Sequence, residues 1–306
     1  MSIEAFFLIS ASILMHSLWH FLCKSSGKPS MAFFALFSSS LFLTMLPFAL
    51  CSGLLGEITF DVAKFAILGG LSGVICDVGL ILAYRHCDIS LAYPMARALP
   101  VFLTMLISVL FHFGNSLSWL AIAGMIIIFS GCLLMVFSNQ KDESSLKEKL
   151  EHLKKGVLGI CIAACGTTAY TFFDKYGIDA IMELSPETNK LLTAGTYSCI
   201  RESMAMTGMW VTVCGLTLCG KEKNVLRTMA KQYHPYLAGV LAALAYVLIL
   251  LAMNYVSNVS FVQAFRQLSL PISALLGFFI LKEKITKFRW LALALIMLGL
   301  VLSVLK

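Results

Sequence analysis

Long apolar runs dominate the chain, and short polar clusters separate them at regular intervals. The runs are continuous for about 20 residues, the length at which an α-helix crosses the hydrocarbon core of a bilayer. Strands of a membrane barrel would alternate apolar and polar positions instead. The pattern therefore predicts an all-α integral membrane protein with ten transmembrane helices, near residues 3–22, 31–51, 62–84, 90–111, 118–138, 156–173, 195–218, 235–256, 259–281 and 288–305.

The ten spans form two five-helix repeats, at 1–138 and 156–306, and residues 139–155 form the linker between them. In both repeats an arginine shortly precedes a proline, as Arg97 precedes Pro100 and Arg266 precedes Pro271. Because each repeat has an odd number of spans, the second copy is inverted in the membrane. This predicts the inverted-repeat plan of many secondary transporters. The linker carries leucines on one helical face, which predicts a short interfacial helix.

Composition supports the same class of protein. Hydrophobic residues make up 59% of the chain and charged residues 13%, and the mean hydropathy is +0.88. Soluble domains have roughly 45–50% apolar and about 25% charged residues, so a soluble fold is excluded. Disorder is excluded by the same apolar content. The sequence contains no phosphate-binding loop, nucleophile elbow, dinucleotide fingerprint or basic-aromatic surface, so we expect no cofactor and no nucleic-acid partner.

The basic residues are distributed unevenly between the loops. Of the 23 lysines and arginines, 16 fall in loops after odd-numbered spans and 4 fall on the other side. The positive-inside rule then places both termini outside the cell. Span 1 has neither a basic leader nor a small-residue cleavage site, so we interpret it as a retained helix. Short loops favour a bacterial inner membrane, and ten spans are enough to enclose a cavity within a monomer.

Ionisable residues inside the spans are the strongest functional signal. Each costs at least about 2.5–3.5 kcal/mol to insert unless it has a partner or an aqueous cavity. The residues concerned are Asp77, Arg97, Arg201 with its neighbour Glu202, and Arg266. One interpretation is structural ion pairing, for example between Asp77 and Arg97. The other is an anion-binding cavity, because three arginines against two acids leave one cation for a substrate anion.

The first span of each repeat carries polar and aromatic residues. His16 and His20 are separated by four positions and share a helical face, beside Trp19. That spacing is compatible with a metal, but no third ligand is evident, and polar lining or proton transfer remain alternatives. In span 6, Tyr170 takes the position corresponding to Trp19. Asp174 is expected at the end of this span, where it either caps the helix or belongs to the counterpart of the polar face of span 1.

The stretch Ser90–Pro100 contains Tyr-Pro-x-x-Arg-x-x-Pro and resembles the fourth span of EamA-like members of the drug/metabolite transporter superfamily. Arg266-Gln267-Leu268-Ser269 resembles the second-repeat equivalent, and the likeness extends over the whole chain. It implies a ten-helix inverted-repeat transporter with Tyr93, Arg97, Arg266 and Ser269 at the substrate. The chain also resembles a branch associated with phosphonate utilisation. Family members have both termini in the cytoplasm, opposite to the loop-charge prediction.

Together these features predict a secondary transporter of a small anionic or zwitterionic metabolite, such as a carboxylate, phosphonate or amino-acid-like compound, working by alternating access. The predicted substrate-binding residues are Arg97, Arg266, Tyr93, Ser269, Trp19, His16, His20 and Tyr170, and Asp77 is the predicted proton-coupling residue. Two alternatives remain at this point. One is an efflux pump for hydrophobic or cationic compounds, and the other is an intramembrane metal-dependent enzyme that uses His16 and His20.

Overall fold

The computed structural model describes residues 3–26, 30–86, 89–137, 146–220, 223–272 and 286–304. Within these ranges it does not describe the side chains of residues 20, 24, 84–85, 89–94, 135–137, 146–155, 223 and 304. Over these ranges the chain is helical, with two short 3-10 turns at Leu54–Gly56 and Arg266–Leu268 and no strand. The helices are α1 (Ile3–Ser25), α2 (Met31–Ser52), α3 (Phe60–His86), α4 (Ile89–Leu110), α5 (Trp119–Phe137), α6 (Leu146–Leu184), α7 (Lys190–Leu218), α8 (Lys223–Met229), α9 (His234–Met253), α10 (Val259–Phe265) and α11 (Lys287–Val304).

Most helices follow the predicted spans within a few residues, because an apolar run and its polar flanks fix where a spanning helix begins and ends. The largest difference is α6, which continues past the predicted end at residue 173 to Leu184. The helix predicted in the linker is the first part of α6 and not a separate element. In addition, the short helix α8 lies in a loop for which the sequence predicts no helix.

Several helices have the length and composition of membrane spans. Among the described residues, five segments qualify fully, at Ile3–Cys23, Met31–Ser52, Phe60–Ala83, Gly156–Leu184 and His234–Met253. Two shorter apolar segments, Met95–Leu110 and Trp119–Leu134, lie in α4 and α5. The chain is therefore a multi-pass helical membrane protein.

The chain divides into two compact units, and each draws on both halves of the sequence. Unit 1 consists of Val78–Thr168 with Val256–Lys306, and unit 2 consists of Ser2–Asp77 with Ala169–Tyr255. Two of the boundaries fall within α3 and α6, and a third, at Tyr255 and Val256, falls between α9 and α10. The proposed repeats at 1–138 and 156–306 describe a symmetry of the sequence, and that division remains a prediction.

Glycines bring helices together inside unit 1. A Cβ atom on Gly124 of α5 would lie 2.6 Å from the carbonyl oxygen of Gly299 of α11, and one on Gly299 would lie 2.5 Å from that of Gly124. Gly79 of α3 and Gly159 of α6 have the same mutual relationship, at 2.8 and 2.7 Å. Small residues at such crossings allow close backbone approach, which is the main source of helix association where lipid replaces water.

Side-chain hydrogen bonds join the helices of unit 2. Ser12 of α1 donates to the carbonyl of Ala245 in α9 at 2.7 Å. Trp210 of α7 donates through Nε1 to Ser39 Oγ of α2 at 2.8 Å. These pairings satisfy polar groups that would otherwise face hydrocarbon, where an unmade bond is costly.

Candidate functional site

Span 9 is interrupted next to an arginine of span 4, inside unit 1. After α10 the backbone makes the 3-10 turn Arg266–Leu268 and then resumes as helix over 269–272. The cause is Pro271, which has no N–H to donate to the carbonyl four residues earlier and whose ring crowds it. The turn therefore interrupts the helix of span 9 beside Arg266.

An arginine–serine cluster forms at this turn. Arg97 Nη2 donates to the carbonyl oxygen of Arg266 at 3.1 Å and to Ser269 Oγ at 2.7 Å. Ser269 Oγ in turn donates to the same carbonyl at 2.9 Å. Arg266 and Ser269 are buried, whereas Arg97 is partly exposed. Three of the predicted substrate-binding residues are therefore in direct contact, although Arg97 is more than half the chain length away from the other two in the sequence.

Asn258 holds the start of α10 against the α4–α5 connection. Its Oδ1 accepts from the Ser260 backbone N–H at 2.9 Å and from Ser108 Oγ at 3.2 Å. Its Nδ2 donates to the carbonyls of Phe113 at 2.9 Å and Asn115 at 3.1 Å. Asn258 is thus an N-cap and also the connector between two loops, which fixes the register of α10 relative to α4.

A second cluster of charged groups is buried in unit 2 and centres on Arg201 of α7. Its guanidinium contacts the Glu202 carboxylate through Nη1, and its Nε lies 3.7 Å from Asp174 Oδ1 of α6. The exposed fractions of the Arg201 and Asp174 side chains are 8% and 0%. Charges removed from water to this extent need partners, and these residues supply one another.

Tyrosines complete the cluster around Asp174. Tyr197 donates to Asp174 Oδ1 at 3.0 Å, and Tyr246 of α9 donates to Oδ2. The Arg201 guanidinium carbon also lies 4.7 Å from the centre of the Tyr246 ring and 5.2 Å from that of Tyr170. Contacts of this kind favour a cation over an aromatic face. Tyr170, predicted to line a substrate site, therefore contacts an arginine of its own unit.

Of the two interpretations open for Asp174, capping of the end of span 6 is wrong, because the residue lies inside α6 and is fully buried. The physical reason is that two tyrosine hydroxyls and Arg201 satisfy its carboxylate, which removes the need for solvent. Tyr197 and Tyr246 are the residues of this cluster that the sequence did not point to. One signal was present, because Lys175 and Asp179 stand four positions apart and form an ion pair of 2.5 Å that continues the helix.

Glycines of α3 make room for the Arg201 cluster. A Cβ on Gly69 would lie 2.4 Å from Asp174 Oδ1, and one on Gly73 would lie 2.9 Å from Arg201 Nη2. A Cβ on Gly70 would meet the Arg201 carbonyl oxygen at 2.5 Å. These glycines therefore allow α3 to pack closely against the Arg201 cluster.

The remaining predicted site residues lie in unit 2 or outside the described side chains. Trp19 Nε1 donates to His16 Nδ1 at 2.9 Å, and the Trp19 ring packs 5.2 Å from that of Phe37. Because Nδ1 accepts, this His16 ring carries its proton on Nε2. The side chains of His20 and Tyr93 are outside the described part of the chain. Among the described residues, no group of three or more His, Cys, Asp or Glu side chains is placed to hold a metal ion.

Asp77 of α3 lies beside the Arg201 cluster. It interacts electrostatically with both Glu202 and Arg201. Within the described residues its carboxylate makes neither a hydrogen bond nor an ion pair of 4 Å or less, so Arg201 compensates it only at longer range. The predicted proton-coupling residue is therefore an acid near one other acid, Glu202, and one cation, Arg201.

Apolar helices that enclose compensated charges define a multi-pass membrane protein with polar groups inside its spans. The chain belongs to the family described as "Sugar transport protein", which matches residues 21–306 and is a transporter family of the drug/metabolite transporter type. This membership makes the chain a transporter of small metabolites, as predicted from the sequence.

A solved structure titled "Crystal structure of protein" has the same fold. Its TM-score is 0.73 at 15% sequence identity, over 99% of this chain and 97% of that one. At this identity the likeness concerns the fold alone. No curated protein matches the chain.

Proposed function

We propose that the protein carries a sugar, or a similarly hydroxylated small metabolite, across the membrane by alternating access. The observation that carries this proposal is the interrupted span 9, where Arg97, Ser269 and the Arg266 carbonyl converge. Secondary transporters build substrate sites at interrupted helices, because the break offers backbone and side-chain polar groups at membrane depth. The family description, "Sugar transport protein", supports the substrate class.

Helix pairings support the inverted-repeat architecture that alternating access needs. If span n corresponds to span n+5, then α2 corresponds to α7, α4 to α10 and α5 to α11, and the members of each of these pairs pack together. By the same correspondence, α1 matches α6 and α9 matches α3, so the packing of α1 on α9 predicts packing of α6 on α3. The structure has this contact, since the rings of Phe65 in α3 and Tyr176 in α6 have centres 5.5 Å apart. Such a closed set of pairings is the expected result of a pseudo-two-fold axis.

The balance of buried charge favours a neutral substrate over the predicted anion. The anion was inferred from three arginines and two acids, but Asp174 adds a third acid to Asp77 and Glu202. Arg201 is occupied by Glu202 and Asp174, and Arg97 donates to neutral oxygens. In the total over the described residues, three acids therefore accompany the three arginines, which removes the surplus cation on which the predicted anion rested. The arginine–serine cluster itself contains two arginines, and its hydrogen bonds to neutral oxygens show donors and acceptors that neutral hydroxyls match.

Thermal unfolding of the detergent-solubilised protein tests the substrate class. A ligand that binds only the folded state raises the unfolding temperature according to its concentration and Kd. The panel contains D-glucose, D-galactose, D-ribose and D-xylose, together with a phosphonate, a dicarboxylate, neutral amino acids and a lipophilic cation. We expect selective stabilisation by a sugar, and uptake of that sugar into proteoliposomes. Arg97→Gln should abolish both effects, whereas the exposed Arg227→Gln should preserve them.

Other outcomes of this panel lead to other functions. Stabilisation by the phosphonate or dicarboxylate alone would restore the anionic substrate first predicted from the sequence. Stabilisation by the lipophilic cation alone would favour the efflux alternative, in which Asp77, an acid inside α3, would meet the cation. No response to any compound, with no uptake, would overturn the proposal.

Proton coupling through Asp77 is a separate part of the proposal. An acid next to Glu202 and with only one shared cation is a group that a proton can neutralise. Sugar uptake into proteoliposomes should then accelerate when a pH gradient is imposed, and Asp77→Asn should remove the acceleration but not equilibrium exchange. Uptake indifferent to the gradient in the unaltered protein would remove the coupling and leave the transporter as a facilitator.

Narrower predictions accompany this proposal. They are the EamA-like assignment, the absence of enzymatic activity, a monomeric state, and a bacterial inner membrane with both termini outside. Labelling of single cysteines at residues 2 and 304 with a membrane-impermeant maleimide checks the orientation. Labelling from the cytoplasmic side only would favour the orientation that the family resemblance implies.

A further inference from the structure

Two hydrogen-bonded contacts set the register between α4 and the interrupted span 9 in unit 1. At one end Arg97 donates to Ser269 Oγ, and at the other Ser108 donates to Asn258 Oδ1. Rising residue numbers in α4 thus correspond to falling numbers in span 9, so the two segments run antiparallel. The stretch between the two contacts is a defined strip of the interface.

Two buried polar atoms lie on these segments, at positions between the two contacts. They belong to Gln267 and Thr104, whose exposed fractions are 1% and 0%. Among the described residues, neither Gln267 Oε1 nor Thr104 Oγ1 has a hydrogen-bond partner. A buried polar atom without a partner costs about 1–3 kcal/mol, so natural structures retain few of them unless a water, an ion or a ligand satisfies them.

The orientation of the Gln267 amide is fixed by its other end. Its Nε2 donates to the Gln263 carbonyl at 3.1 Å. The flipped amide would bring its oxygen against that carbonyl, which places two acceptors together. The unsatisfied atom of Gln267 is therefore an acceptor, and whatever completes it must donate a hydrogen bond.

We propose that Gln267 Oε1 accepts a hydrogen bond from a hydroxyl group of the transported substrate, with the Thr104 hydroxyl as a second partner. This assignment rests on the function proposed above and identifies which substrate group is recognised. A fully ionised carboxylate or phosphonate has no proton to donate to an amide oxygen. An ammonium or metal ion has the same charge as the neighbouring Arg97 and Arg266, which repel it. A neutral hydroxyl avoids both penalties.

Monodeoxy sugars test the assignment. For the sugar that stabilises the unaltered protein in the panel above, each monodeoxy analogue is assayed by the same thermal shift and by competition for uptake. We expect one analogue to bind roughly 5–150-fold more weakly than the parent sugar, the range that corresponds to about 1–3 kcal/mol for an unsatisfied buried acceptor. In Gln267→Leu the parent sugar should bind more weakly, and its affinity relative to that of the analogue should fall to a ratio of about one.

Matched variants separate recognition from a purely structural role. Gln267→Glu keeps an acceptor at this position and should retain the discrimination. Gln232→Leu removes another buried amide oxygen that lacks a partner among the described residues, outside unit 1, and should change nothing. A structural role for Gln267 would instead lower the affinity for all sugars equally and leave the ratio intact.

The outcomes are distinguishable. An unchanged ratio in a folded Gln267→Leu protein overturns the assignment and leaves the proposed function standing. If Gln267→Leu does not fold, the unaltered protein decides, because equal binding of all monodeoxy analogues overturns the assignment. A protein that neither binds nor transports any sugar of the panel overturns the proposed function, and the assignment with it.

Discussion

Arg201 Nε of α7 lies 3.7 Å from Asp174 Oδ1 of α6, and both side chains are withdrawn from solvent. Asp174 also accepts from Tyr197 and Tyr246, and Arg201 also contacts Glu202. Each carboxylate oxygen of Asp174 thus has a hydroxyl donor in addition to the nearby cation. The pair is the centre of unit 2, and its energetics depend on both partners being present.

Asp174→Asn should destabilise the protein by about 3 kcal/mol or more, because it leaves the Arg201 charge buried with less compensation. Asp179→Asn, on the same helix, removes a carboxylate that is 41% exposed and pairs with Lys175, so it should cost less than about 1 kcal/mol. Thermal unfolding in detergent compares the two. Equal losses in both variants would contradict a structural role for the buried pair.

Gly70→Ala should lower the unfolding temperature. Its new Cβ would meet the Arg201 carbonyl oxygen at 2.5 Å and Met204 Cβ at 2.7 Å, and backbone atoms cannot move aside cheaply. Overpacking of this kind costs about 1–3 kcal/mol. The control is Gly215→Ala in α7, where nothing lies within 4 Å of the new methyl group. That variant should be neutral or stabilising by up to about 1 kcal/mol, because alanine is the better helix former.

Asn258→Ala should cost about 1–3 kcal/mol. It removes an N-cap and four hydrogen bonds, and it leaves the buried Ser108 hydroxyl with fewer partners. Asn254→Ala provides the comparison, since Asn254 makes only long contacts of 3.3 and 3.5 Å to carbonyls of its own helix. The unfolding temperatures of the two variants are measured side by side. If Asn258→Ala lowers the unfolding temperature no more than Asn254→Ala does, the hydrogen bonds of Asn258 are dispensable for stability.

Ser39→Ala should also destabilise unit 2, by about 1–3 kcal/mol, because it takes the acceptor from the Trp210 indole N–H. Ser130→Ala serves as the control, since Ser130 is exposed and bonds only to the Ile126 carbonyl one turn earlier in its helix. Chemical or thermal unfolding of the two variants measures the difference. Intact stability in Ser39→Ala would mean that Trp210 finds another acceptor.

The sequence predicted the helices well because apolar runs of membrane length are unambiguous, as in α2 and α9. It also drew attention to Arg97 and Arg266, because a charge inside an apolar run stands out in any single sequence.

The partners of those residues were not predictable in the same way. Asp174 was placed at a helix end because its compensation comes from Tyr197, Tyr246 and Arg201, which are distant in the sequence. Tyrosines are ordinary in apolar segments, so nothing local marks Tyr246 as a donor to a buried carboxylate. The unsatisfied oxygen of Gln267 is likewise visible only once every neighbour has a position.

The adjacency of Arg201 and Glu202 has a consequence for the synthesis of the protein. α7 is absent from the described segments that are apolar enough to span a membrane unaided, and it carries both a cation and an anion near its middle. Asp174 and the tyrosines reach Arg201 only after several helices have assembled. Glu202 is its chain neighbour, so the two charges neutralise each other while the nascent segment is still leaving the insertion machinery. The adjacent pair therefore gives Arg201 a counter-charge during insertion, before its tertiary partners are in place.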